Sequence, residues 1–224
     1  MVTTVKGKPC EPKKAYQYSK QLIKKSKETV LLNSSSDVNV TREVLSAASK
    51  VNAIVDHVNS SIFLKNISIY QRRGYMATSL TEIKNKSDVI IVFSNNLFGT
   101  YPRLMEKFLA TKNSFSVNSK KKEIYVIGNK TSNSRDCNIR DKRITYVDFN
   151  NRNITRLLNS FISKKNESSI GNQVFNKLLT SIETSKYLSV LWATSEFDSY
   201  KECDEIIYNI SAYVVSLNKT SRAA

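Results

Sequence analysis

The chain holds one histidine, His57, which follows an acid in the run Asp56-His57-Val58. An imidazole beside a carboxylate is the raw material of a base and its orienting group. Neighbours on a strand point to opposite faces, however, so the plainer use of His57 is a capping or core hydrogen bond. The three cysteines, Cys10, Cys137 and Cys203, are far apart and lack the close spacing of zinc or iron–sulfur ligands. They read as reduced thiols. Glu82, Asp88 and Asp148 are scattered carboxylates at helix and strand ends. One histidine with dispersed cysteines makes no metal-ligand set, so no metal site is expected.

Such side chains act only where secondary structure places them. An apolar stripe of Ala15, Leu22 and Ile23 after Pro12 predicts a first helix, and Val44, Leu45, Ala48 and Val51 predict a second over Thr41 to Val51. Runs at Thr29 to Leu32, Ala53 to Val55, Val89 to Phe93, Ile124 to Ile127, Ile144 to Val147 and Leu188 to Ala193 predict strands. Further helices are expected at Leu80 to Lys86, Pro102 to Ala110, Asn153 to Ile162, Gly171 to Ser185 and Tyr200 to Leu217, with a loop from Asn59 to Gly74. Alternation of this kind defines an α/β fold with a doubly wound, mostly parallel sheet. The unbroken apolarity of Val89 to Phe93 marks a strand covered on both faces. The polar run SKKNESS at 163–169 places a division into a Rossmann-like domain at 1–163 and the start of a second α/β subdomain at 164–224.

Open α/β sheets bind ligands beyond the carboxyl ends of their strands. The residues there are small and polar: Asn33 to Asp37, then Ser94-Asn95-Asn96, then Gly128 to Thr131. They can offer backbone N–H groups and hydroxyls to a phosphate or pterin-like group, and they serve equally as helix caps and turns. Hydrolytic or redox catalysis by this chain alone is not expected from them.

The balance of charge is lopsided, 35 Lys and Arg against 19 Asp and Glu, for a formal net charge of +16. Such a field attracts polyanions. Nucleic acid is the usual partner, yet no Cys/His finger, RNP-type run or basic region leading into heptads is present. No apolar run approaches the roughly 20 residues of a membrane-crossing helix, and the first residues lack the apolar core of a secretory signal. A cytoplasmic protein is expected.

The segments IVDHVNSS, IYQRRGYMATSLTEIKNKSDVIIVFSNN and TYPRLMEKF, with LSVLWATSEFDSYKECDEIIYNISAYVVSLN later, resemble the B subunit of formylmethanofuran dehydrogenases. The resemblance is to the shorter bacterial version in the formyltransferase/hydrolase complex of methylotrophs. The family pattern of a helix, an apolar strand, a turn and Pro-Arg falls on Glu82, Lys84, Asn85 and Asp88, on Ser94-Asn95-Asn96, and on Pro102-Arg103.

This resemblance implies a molybdopterin-oxidoreductase-like fold and a place in tetrahydromethanopterin-linked one-carbon metabolism. It implies partner A, C and D subunits, of which A and D carry the catalysis. Metal-bearing relatives use an N-terminal cysteine cluster, where only Cys10 stands here, and a cysteine or selenocysteine ligand, where Val38 stands. The expected cofactor is therefore none, with Ser94, Asn95 and Asn96 as a vestigial pterin-type loop. The carrier in this family bears γ-glutamyl tails, which makes Lys120, Lys121, Lys122, Arg135, Arg140 and Arg143 candidates for holding a polyanion. The runs Lys20 to Lys27 and Lys164-Lys165 are further candidates. Relatives continue beyond the position matching SRAA, so a truncated sequence is an expectation. Two other readings stand beside this one: a free basic α/β protein binding a ligand or nucleic acid, and an active molybdopterin-type subunit.

Overall fold

A computed structural model describes residues 2–34, 37–93, 97–109, 122–128, 144–150, 153–165 and 172–224. Contacts divide the chain into two units, Met1–Ser61 and Ile62–Ala224.

The first unit opens with a small antiparallel hairpin, β1 (Thr4–Val5) and β2 (Lys8–Pro9), missed in the sequence because its strands are only two residues each. Lys6 and Gly7 make its turn at positive φ. Helix α1 (Pro12–Lys25) starts with proline at its first position, where no hydrogen bond is lost. Strand β3 (Val30–Asn33) leads to α2 (Val38–Val51) and β4 (Ile54–His57), and β3 and β4 pair in parallel. Asp37 begins α2 by accepting the Val40 N–H at 2.9 Å, three residues ahead of the expected start. Asn52 ends it in the left-handed conformation that asparagine tolerates.

Most of α3 (Ser60–Arg73) belongs to the second unit and occupies the segment expected as a loop. Its apolar residues, Ile62, Phe63, Leu64, Ile67, Ile69 and Tyr70, spread round the helix and only Ile69 is fully buried, so the 3.6-residue period is weak. The chain continues through α4 (Leu80–Lys86), β5 (Val89–Phe93), α5 (Leu97–Thr100) and α6 (Pro102–Leu104). A π-helical turn at Met105–Leu109 takes the place of the rest of the expected helix. Then come β6 (Glu123–Gly128), β7 (Ile144–Asp148), α7 (Ile154–Ser163), α8 (Asn172–Thr184) and β8 (Tyr187–Trp192). Helix α9 (Cys203–Leu217) and β9 (Arg222–Ala223) follow.

The five strands form one parallel sheet in the order β7-β6-β5-β8-β9. It is doubly wound, as expected. Val89, Ile91 and Phe93 of β5 enter one core with Tyr125, Ile127, Phe161, Phe175 and residues of α9. Ile90 and Val92 enter a second core on the opposite face, with Ile83, Met105, Leu109 and Ile124. Burying such a side chain fully is worth about 1.5–3 kcal/mol, so β5, filled on both faces, anchors this unit. Because β8 lies beside β5, residues on both sides of 163/164 share one sheet.

Candidate functional site

The chain runs β5, β6, β7 to one side and then crosses back to lay β8 on the other side of β5. Reversal of direction makes the carboxyl ends of β5 and β8 the switch point of the sheet, where the crevice of a doubly wound fold opens. Phe93 and Trp192 are register partners there. Ser94, Asn95 and Asn96 follow Phe93 directly and lie outside the described residues.

The β8 side of the crevice is described fully. A 3-10 turn, Thr194–Glu196, follows the strand, and Thr194 is buried. Asn66 of α3 donates from Nδ2 to Thr194 Oγ1 at 2.6 Å. Its Oδ1 is shut off from solvent and finds no hydrogen-bond partner among the described residues. A buried amide oxygen in that state carries a desolvation penalty that a donor group would relieve.

Beside it, Lys65 Nζ lies 2.7 Å from Asp198 Oδ1. The hydrogen bond to Asp198 raises the lysine pKa, so the ammonium is held charged. Burial pushes the nearby Cys203 thiol up as well, although Lys65 pulls the other way. At neutral pH these two groups are thus neither a base nor a thiolate nucleophile.

Of these five residues only Cys203 was singled out in the sequence, as a reduced thiol. Thr194 was within reach, since it stands just past the strand LSVLWA. Lys65 and Asn66 were hidden in the segment read as loop.

His57 is half-buried at the end of β4 and accepts the Asn59 N–H on Nδ1 at 3.1 Å. Asp56 accepts the His57 backbone N–H at 2.8 Å, and the Ser60 hydroxyl and this N–H hold its carboxyl below the usual range. The pair closes a turn, which is the capping use. Lys122 is buried at the amino end of β6, the side of the sheet away from the crevice. Its ammonium donates to Lys84 O at 2.8 Å and Ile83 O at 3.3 Å and so closes the end of α4. Lys120, Lys121, Arg135, Arg140, Arg143 and Cys137 lie outside the described residues.

Asp88 accepts the Lys186 and Tyr187 N–H groups at 2.7 and 3.0 Å and fixes the start of β8, while Glu82 pairs with Lys86. Cys10 and Cys203 are free thiols, and among the described residues no group of three or more His, Cys, Asp or Glu stands together. Val38 opens α2 without a donor atom. Ser94 to Asn96, the loop expected to face a pterin, lie outside the described residues. Among the described residues no helix is long and apolar enough to cross a membrane.

No protein-family model and no curated protein sequence matches the chain. Its fold is similar to that of a chain in the crystal structure of the formyltransferase/hydrolase complex from Methylorubrum extorquens in complex with methylofuran, with a TM-score of 0.74 and 16% sequence identity. The likeness covers 98% of this chain and 58% of that one, and at this identity it is a likeness of fold.

Proposed function

We propose that the chain is a subunit of a formyltransferase/hydrolase-type complex, standing where the formylmethanofuran dehydrogenase B subunit stands and having no active site of its own. The observation that carries this is the correspondence of fold along nearly the whole chain with a chain of that complex. The motif resemblance from Ile54 to Phe108 supports the same assignment, and the crevice chemistry agrees: Lys65 is held charged and Cys203 is held as a thiol. In this role the chain supports partner A, C and D subunits in tetrahydromethanopterin-linked one-carbon metabolism, and its basic surface keeps a polyglutamylated carrier near them. It binds neither a metal pterin nor an iron–sulfur cluster.

The test is co-expression with those three subunits. A stoichiometric assembly is expected that transfers and hydrolyses formyl groups, with molybdenum, tungsten and cluster iron absent from the chain by elemental analysis. A chain that never enters the assembly, or that carries stoichiometric molybdenum or tungsten, contradicts the proposal. A net charge of +16 favours a second reading, a free basic α/β protein, and tight binding of nucleic acid by the isolated chain at physiological salt would establish it.

A further inference from the structure

Helix α1 is unlike the others. It has five lysines, Lys13, Lys14, Lys20, Lys24 and Lys25, and no carboxylate from Pro12 to Lys25. None of its residues is buried. Ala15, Tyr18, Ser19, Leu22 and Ile23 recur at three- and four-residue spacing and so share one face, and the lysines fall outside that stripe. Tyr18 is partly covered, with Lys6 Nζ 5.8 Å from its ring centroid, but Leu22 is 52% exposed and Tyr16 68%.

Two costs go with this arrangement. A helix of this length draws most of its stability from packing of its apolar face, which here is only half covered: Ala15, Tyr18 and Ile23 are partly buried and Leu22 is exposed. Lys20 and Lys24, four residues apart, repel each other along the helix. A surface that covers the stripe and places carboxylates against the lysines removes both costs.

We propose that α1 is a docking helix for an acidic protein surface on a partner subunit. The inference rests on the reading of the chain as a subunit of a complex. Charge selects the occupant. A second copy of this chain carries the same +16, and residues 62–224 hold 25 Lys and Arg against 14 Asp and Glu, so neither offers the carboxylates α1 lacks. An anionic membrane supplies the charge, but membrane affinity grows with buried apolar area, and only Leu22 and Ile23 are large aliphatic residues in this stripe, beside Ala15 and Ser19. A protein face with a small apolar centre and an acidic rim meets both features.

The test uses the full chain co-expressed with the A-, C- and D-type subunits, the affinity being measured by sedimentation at low salt and at about 0.5 M salt. The Lys13→Glu/Lys20→Glu/Lys24→Glu variant is expected to lose about tenfold or more in affinity at low salt, and the parent to lose a similar factor at high salt. A Leu22→Ser variant weakens assembly at both salt concentrations. Lys177→Glu, an exposed change on α8, leaves it unchanged, and unaltered thermal unfolding of the variants shows that each is folded. Assembly of the α1 variants as tightly as the parent overturns this inference alone. Failure of the parent to assemble overturns the subunit reading and this inference with it. Binding of the parent to phosphatidylserine vesicles through the same lysines, with subunit affinity untouched by their reversal, assigns the helix to a membrane and overturns the inference too.

Discussion

The two units use the same vocabulary of parallel strands and crossover helices and reach opposite outcomes. In the second, every residue of β5 is buried and both faces of the sheet are covered. In the first, Val30 is 60% exposed, Leu32 64% and Ile54 59%, and among its described hydrophobic residues Ala48 alone is buried. Strand β3 and helix α2 there border an open groove of about 750 Å³, lined by Val30, Leu31, Leu32, Val40 and Val44 among others. Parallel sheets occur with both faces covered, and two strands are marginal alone. Apolar strands thus do different work in the two units: in one they hold the chain together, and in the other they await a surface.

The largest expected effect lies in the second unit. Phe175→Ala removes a ring buried completely among α7, α8 and α9 and should destabilise the isolated chain by about 3–5 kcal/mol in urea unfolding. Leu32→Ala in the first unit should stay within about 0.5 kcal/mol in the same assay. Equal losses at the two positions would erase the contrast.

Lysine gives a sharper version of the same contrast. Lys122→Met removes a donor from Lys84 O and one of the two donors of Ile83 O, which keeps the Ser87 N–H, and should cost about 1–3 kcal/mol, whereas Lys24→Met in α1 should be nearly neutral for the chain alone. Lys122→Met should also leave polyglutamate binding unchanged, because its ammonium faces the protein. A fall in that binding would return Lys122 to the polyanion surface.

A smaller effect follows from Tyr125. Its hydroxyl donates to Glu123 Oε2 at 2.9 Å, and burial first, then Glu123, push its pKa up to about 12. The unfolded chain loses this proton near the ordinary tyrosine value of about 10. The contribution of Tyr125 is therefore intact below pH 10 and declines as pH rises from there to about 12. Thermal unfolding measured across that window should fall less steeply in Tyr125→Phe than in the parent. Parallel curves would place the tyrosine in water.

Regular, strongly periodic segments were legible in the sequence. The unbroken run at Val89 to Phe93 announced the central strand, and Leu80 to Lys86 was located to the residue. What escaped depended on tertiary partners. Helix α3 buries only Ile69 fully, and β9 consists of two residues that become a strand through pairing with β8. The rule that loops after strands carry ligands pointed to the carboxyl end of the sheet, where Thr194 lies. It could not name Asn66, whose place beside Thr194 comes from a helix 128 residues away in sequence. Nor could it tell Lys122 from an exposed lysine, since its role is set by the end of a helix 38 residues earlier.

Amide hydrogen exchange of the chain alone and in assembly with partner subunits tests the contrast most directly. Alone, the amides of α1, β3 and β4 should exchange far faster than those of β5, β6 and β8. In the assembly, α1 and β3 should gain protection while β5 and β6 stay as they were. Equal protection of both units in the isolated chain, or no gain in the first unit on assembly, would contradict the account.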